Sequence, residues 1–353
     1  MSSSSGSGAG GLGAAWRRRP GYLDTATYGL PPRQTVELSR RVIEDWAEGT
    51  VVWTTWNDAA DEARRLFASW VGVRAESVAV GPSTSSFVGL VAASLPDAAE
   101  VVIPDCEFTS LLFPFLVQSA RGVTVRPVPL EALADSVRAR TSVVAWSAVQ
   151  SSDGRIADTD AVLKAARRVG ALTVLDATQA TGWLPLPLDQ VDTAVCSAYK
   201  WLCCPRGTAF MATSPRVLAE VLPHAASWYA AEDVHAAYYG PPLRLAADAR
   251  RFDVSPAWFA WMGAVTSLRA LAEIDMKAIH DHDVELADRL RDALGLEPTG
   301  SAIVAVGGES VEPRLAQLGI KAATRANGCR LAFHLYNDHD DVAAAAAALR
   351  QSG

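Results

Sequence analysis

Leu172-Thr-Val-Leu-Asp-Ala-Thr-Gln179 carries a short apolar run straight into an aspartate. A run of this kind, without polar alternation, suits a strand covered on both faces, as in a parallel sheet. Similar runs recur at Ser77–Val80, Glu100–Ile103, Thr124–Val128, Ser142–Trp146, Thr193–Cys196 and Thr208–Ala212. Helical patterns lie between them, at Ser85–Ala93, Leu112–Ala120, Leu130–Arg138 and Thr159–Val169. Strands alternating with helices predict an α/β fold: a large domain with a mostly parallel central sheet sandwiched by helices. From Pro256 the texture changes to a helical stretch reaching about Ala293, strand candidates Ala302–Val306 and Arg330–Phe333, and a closing helix, Val342–Arg350. That predicts a smaller α+β C-terminal lobe. The expected division is a flexible tail over 1–18, a large domain over 19–250 whose segment 19–50 packs near the site, and a small domain over 251–353.

Half of the 353 residues are apolar and 20% are charged, enough to bury a large core. The 32 Lys and Arg face 39 Asp and Glu, a net charge of −7, and no basic cluster occurs beyond Arg17–Arg19. Nucleic acid and anionic membrane surfaces are therefore not expected as partners. No apolar run reaches the roughly 18 residues that a bilayer-spanning helix needs. The N-terminal arginines follow the small residues, the reverse of a secretory leader. Five cysteines (Cys106, Cys196, Cys203, Cys204 and Cys329) form no CxxC pair, and six histidines form no HxxxH or HExxH. The expectation is a reduced, cytoplasmic, metal-free protein. His280 and His282 suit a solvated helix surface.

In open α/β sheets, ligands gather beyond the C-terminal ends of the strands. Gly81-Pro-Ser-Thr-Ser-Ser86 follows the first strand and runs into a helix, so its hydroxyls, amides and helix dipole suit a phosphate. Helix capping alone would explain the same residues. Asp176 directly ends an apolar strand, where a carboxylate is costly without a cation nearby, although it also suits a helix cap. Lys200, in Val195-Cys-Ser-Ala-Tyr-Lys200, follows 24 positions later among apolar neighbours. A lone lysine there is a candidate for a depressed pKa and Schiff-base chemistry, or else a structural lysine with a buried stem. Together the hydroxyl cup, acid and lysine point to pyridoxal 5'-phosphate.

With these motifs the sequence resembles the class V aminotransferase family, which includes cysteine desulfurases, isopenicillin N epimerase-like and kynureninase-like enzymes. The resemblance spans roughly Tyr22 to Leu349. It rests on Tyr22-Leu-Asp-Thr-Ala-Thr27, Gly81–Ser86, Glu107-Phe-Thr-Ser110, Asp176–Gln179, Ser197-Ala-Tyr-Lys200, Arg251-Phe-Asp-Val-Ser-Pro256 and Arg330 with Tyr336-Asn337. It implies a fold-type I enzyme in which Lys200 forms the Schiff base and Asp176 pairs with the pyridinium nitrogen. Gln179 would donate to the cofactor's phenolic oxygen. Ser83, Thr84 and Ser85 would line the phosphate cup, with Ser197 and Tyr199 reaching the phosphate, and Phe108 would stack on the ring. Ser255 would reach the phosphate of a partner subunit, implying a homodimer. Arg330 would grip the substrate α-carboxylate as a planar fork. Gln150 and Ser151 are placed against cofactor or substrate, and Thr27 near the substrate. Trp53, with Trp56, suits either a pocket wall or a helix packing face.

Three departures bear on the reaction. Phe108 stands where many desulfurases have a histidine, and it cannot move a proton. The stretch Lys321–Cys329 is short, and its one cysteine adjoins Arg330 instead of riding on an extended loop, so a sulfur-carrier role is not expected. The C-terminal lobe is abbreviated. The resulting expectation is an enzyme acting on an α-amino acid or conjugate through a Cα carbanion, ending in elimination or bond cleavage. Transamination or epimerisation is the alternative. A nicotinamide dehydrogenase is disfavoured because no GxGxxG follows a strand candidate, the only matches lying in the Ser/Gly-rich stretch 6–13, and a catalytically silent cofactor-binding module because the lysine is retained.

Overall fold

The computed structural model describes residues 12–308, 311–325 and 328–350. Seven strands form the large sheet: β1 (Val78–Gly81), β2 (Glu100–Pro104), β3 (Thr124–Val128), β4 (Thr141–Ser147), β5 (Leu172–Asp176), β6 (Thr193–Ser197) and β7 (Ala209–Thr213). Their order is β1-β7-β6-β5-β4-β2-β3. β7 runs antiparallel to both of its neighbours, and the remaining pairs are parallel. Every residue of β2, β5 and β6 is buried, as the unbroken apolar runs require.

Among the described residues ten α-helices accompany the sheets: α1 (Arg33–Glu48), α2 (Trp53–Val71), α3 (Thr84–Ser94), α4 (Thr109–Leu116), α5 (Thr159–Val169), α6 (Pro215–Glu220), α7 (Trp258–Ala272), α8 (Met276–Ala293), α9 (Val311–Gln317) and α10 (His339–Arg350). The antiparallel small sheet is ordered β8 (Ile303–Gly307), β10 (Gly328–Ala332), β9 (Ala323–Arg325). Its core joins Leu286 and Leu290 of α8 to Val304, Leu331, Phe333 and Ala345. α7 lies against α1 and α2, while α8 lies against α10 and β8.

Three local expectations are corrected. The stretch 130–138 forms a single 3-10 turn, Leu130–Ala132, and farther along the Ser136 carbonyl accepts from Arg126. The stretch 256–293 is two helices, since the Asp275 carboxylate caps Lys277 N–H and starts α8 afresh. Trp16, assigned to the tail, is buried, and its indole donates to the Leu30 carbonyl at 2.9 Å. The rest of that tail through residue 11 lies outside the described residues.

Candidate active site

The C-terminal ends of β1, β2, β4, β5 and β6 open onto one edge of the large sheet, and the turns that follow them carry the site. Register places Asp176 beside Ser147 on one side and Val195 on the other. Asp176 is buried and accepts the Thr178 N–H at 2.8 Å. Burial raises its pKa, while that hydrogen bond and the Lys200 charge hold it down.

Lys200 follows β6 and is 7% exposed. Burial lowers its amine to about pKa 8; Asp176 opposes that shift, and Arg330 and Arg325 add to it. Its Nζ lies 5.5 Å from the Phe108 ring centre and 5.9 Å from that of Tyr199. Among the described residues no side chain hydrogen-bonds to it. The Lys200 turn is gripped closely by backbone. A Cβ at Gly29 would fall 1.9 Å from the Lys200 carbonyl oxygen, and Gly182, at φ +122°, leaves only 2.9 Å to the Trp201 oxygen. Side chains at either position would dislodge the turn.

Hydroxyl groups cluster at the start of α3. Ser83 caps α3 through the Ser86 N–H, and its hydroxyl meets those of Ser85 and Ser86. Deeper, the Thr84 hydroxyl lies 2.8 Å from that of Ser197 and 3.1 Å from that of Thr178. Thr178 also accepts the Ser197 N–H at 3.0 Å. Thr178 was missed, although it sits inside the Asp176–Gln179 turn. Phe108 caps α4 and is 48% exposed, leaving one ring face open beside the amine.

Gln179 ties three segments together. Its amide nitrogen donates to Ala26 O at 2.9 Å and Ser151 Oγ at 3.1 Å, and its oxygen accepts from the Trp201 indole. Ser151 in turn accepts Arg330 through both its carbonyl (2.5 Å) and hydroxyl (3.0 Å). The other arm of Arg330 donates to Thr27 Oγ1 at 2.7 Å. Arg330 is 1% exposed, its Nε is buried without a partner, and no carboxylate pairs with it among the described residues. Burial and Arg325 push it down to about pKa 10. The nearby acids Asp338 and Asp341 are engaged elsewhere, by Arg18 and by Gly21 N–H.

Other expected residues fall outside this group. Gln150 is wholly buried, and its amide donates to Glu107, so it braces the strand ends instead of facing a substrate. Glu107 also holds Ser147 N–H and hydroxyl and the Phe108 N–H, and burial raises its pKa. Trp53 packs among Trp228, His235, Tyr238 and Trp258, a separate aromatic cluster beneath α7. Tyr199 faces Tyr28 and lies under the Arg206 guanidinium at 4.9 Å. Ser255 is exposed and has no hydrogen-bond partner among the described residues. Two residues before it, buried Asp253 pairs with Arg64 at 2.6 Å and accepts the Val80 N–H, which fixes this segment to β1. Cys329 is 2% exposed and lies in the small-sheet core. His280 and His282, expected on a solvated face, are half-buried on the carbonyls of Trp183 and Asn337. Among the described residues no helix is long and apolar enough to cross a membrane.

The Aminotransferase class-V family matches residues 48–299. The chain is 27% identical over 328 residues to the uncharacterized aminotransferase YcbU of Bacillus subtilis, covering 86% of this chain and 87% of that protein. It is 29% identical over 265 residues to isopenicillin N epimerase of Streptomyces clavuligerus, covering 67% and 65%. The solved complex of the cystine C-S lyase C-DES with its product cysteine persulfide superposes with a TM-score of 0.85. That match spans 94% of this chain and 97% of the other at 17% identity, a likeness of fold. With the family match extending over more than half of its length, this chain belongs to the class-V aminotransferase family.

Proposed function

We propose that this chain is a pyridoxal-phosphate enzyme that activates the Cα of an α-amino acid and cleaves a bond in its side chain. Lys200 carries the reading: a buried amine with a lowered pKa, set between a buried acid and an open aromatic face. The residues fit the cofactor. Thr84, Thr178, Ser197 and the N-terminus of α3 would hold the phosphate. Phe108 would stack on the ring, and Asp176 would keep a proton on the pyridine nitrogen. Gln179 would reach the ring oxygen by exchanging its longer bond, the one to Ser151.

When bound, pyridoxal phosphate supplies a conjugated ring that accepts the electron pair left at Cα. Lys200 would anchor the cofactor covalently and, once released, take and return the Cα proton. Arg330, a buried guanidinium without an acidic partner, would take the substrate α-carboxylate through a charge-assisted fork. Two observations narrow the outcome. Phe108, whose ring centre lies 5.5 Å from Lys200 Nζ, cannot hold a proton and so cannot serve as the second acid of a two-base epimerisation. Burial of Cys329, which also raises its thiol pKa, speaks against a sulfur carrier.

The assembly we propose is a homodimer in which the exposed Ser255 completes the partner's phosphate site. The reaction is tested by supplying the holoenzyme with a panel of amino acids and S-conjugates and no keto-acid acceptor. Release of keto acid with ammonia or thiol is the expected result. Turnover that requires an added 2-oxo acid would make the enzyme an aminotransferase instead.

A further inference from the structure

We propose that Arg325 and Arg330 form a two-guanidinium clamp that selects an amino acid bearing a second acidic group on its side chain. This rests on the proposal that the site takes an α-amino acid. The two arginines converge on a single hydroxyl: Arg330 donates to Thr27 Oγ1 at 2.7 Å and Arg325 donates to the same atom at 3.3 Å. Among the described residues Arg325 also donates to its neighbour's carbonyl, Thr324 O, at 2.6 Å. Neither guanidinium has a carboxylate within ion-pair distance among the described residues. Buried Asp24 acts on Arg330 only through space, and one of its oxygens has no partner.

Like charges placed side by side repel, and burial strengthens the repulsion because less water screens it. Both charges are felt at Lys200, whose pKa they lower. A monocarboxylic amino acid would neutralise only Arg330. The arrangement is complementary to a ligand with two acids. Arg330, on β10 and fully buried, fits the α-carboxylate. Arg325, on β9 and half-buried at the rim, is reached by an acid one or two carbons farther along the side chain. The adjacent-strand register, with Gly328 opposite Arg325 and Arg330 opposite Ala323, holds both guanidiniums on rigid backbone.

The test is isothermal calorimetry on the holoenzyme with succinate and glutarate against acetate and butyrate. The dicarboxylates should bind about tenfold to a hundredfold more tightly, the increment of one further charge-assisted fork. Arg325→Ala should bring that ratio close to one, and Arg325→Lys should restore part of it, since the charge returns without the planar fork. Equal affinity for both ligand classes in the wild type would overturn the proposal. So would Arg325→Ala weakening both classes alike. Failure of the cofactor reading would show separately, as no borohydride-fixed cofactor on Lys200, whereas the affinity ratio stands on calorimetry alone.

Discussion

Burial outweighs the opposing charge of Asp176 and lowers the Lys200 amine to about pKa 8. An amine attacks an aldehyde only in its neutral form. The rate at which apoprotein captures pyridoxal phosphate should therefore climb with pH, then level off near pH 8. An ordinary lysine would keep climbing towards 10.5. The direction of each neighbour's effect is fixed by its sign. Arg330→Ala removes a cation and should move the inflection up, while Asp176→Asn removes an anion and should move it down. Stopped-flow absorbance against pH measures all three. An inflection above pH 10 in the wild type would show that the amine is not desolvated.

At the scale of elements, the Lys200 turn is braced from behind by a buried pair linking α8 to the turn after β10. His334 Nδ1 lies 2.8 Å from Asp283 Oδ2, and its Nε2 donates to the Trp201 carbonyl at 3.0 Å. Burial alone would lower the imidazole's pKa, but the Asp283 charge and hydrogen bond carry it up to about 10. Asp283→Asn removes the charge that keeps the imidazole protonated, so His334 should become neutral and the mutation should cost about 1–3 kcal/mol in chemical denaturation. A loss under about 1 kcal/mol would mean that the pair contributes little. None of this brace was legible in the sequence, because its partners lie 51 and 133 positions apart. The strands were legible, since a run such as Leu172–Asp176 has no alternative to burial. Asp176 and Lys200 stood out as charges set in or beside apolar runs, and Arg330 through the family resemblance. Arg325 did not, because its meaning depends on Thr27, 298 positions away. Gln150 and Trp53 lie in the right stretches of chain, yet their side chains turn towards Glu107 and the Trp258 cluster, directions that spacing does not specify.

At the scale of the whole molecule, the proposed dimer draws its support from Ser255, which is exposed and without a hydrogen-bond partner among the described residues. Apolar surface is also exposed, including Trp46 at 61% and Phe259 at 41%, whose rings meet 5.3 Å apart. Shared sites predict complementation between inactive variants. Co-refolded Lys200→Ala and Ser255→Ala chains should regain activity neither shows alone, because the mixed dimer contains one site with both residues intact. Activity that merely averages the two parents would contradict exchange of Ser255, and a monomer in sedimentation would contradict the dimer.

The most direct test of the central claim is covalent. Protein loaded with pyridoxal phosphate, reduced with borohydride and digested, should carry the label on the peptide holding Lys200 and on no other. A label on Lys164 or Lys277 instead, or retention of none, would contradict the account.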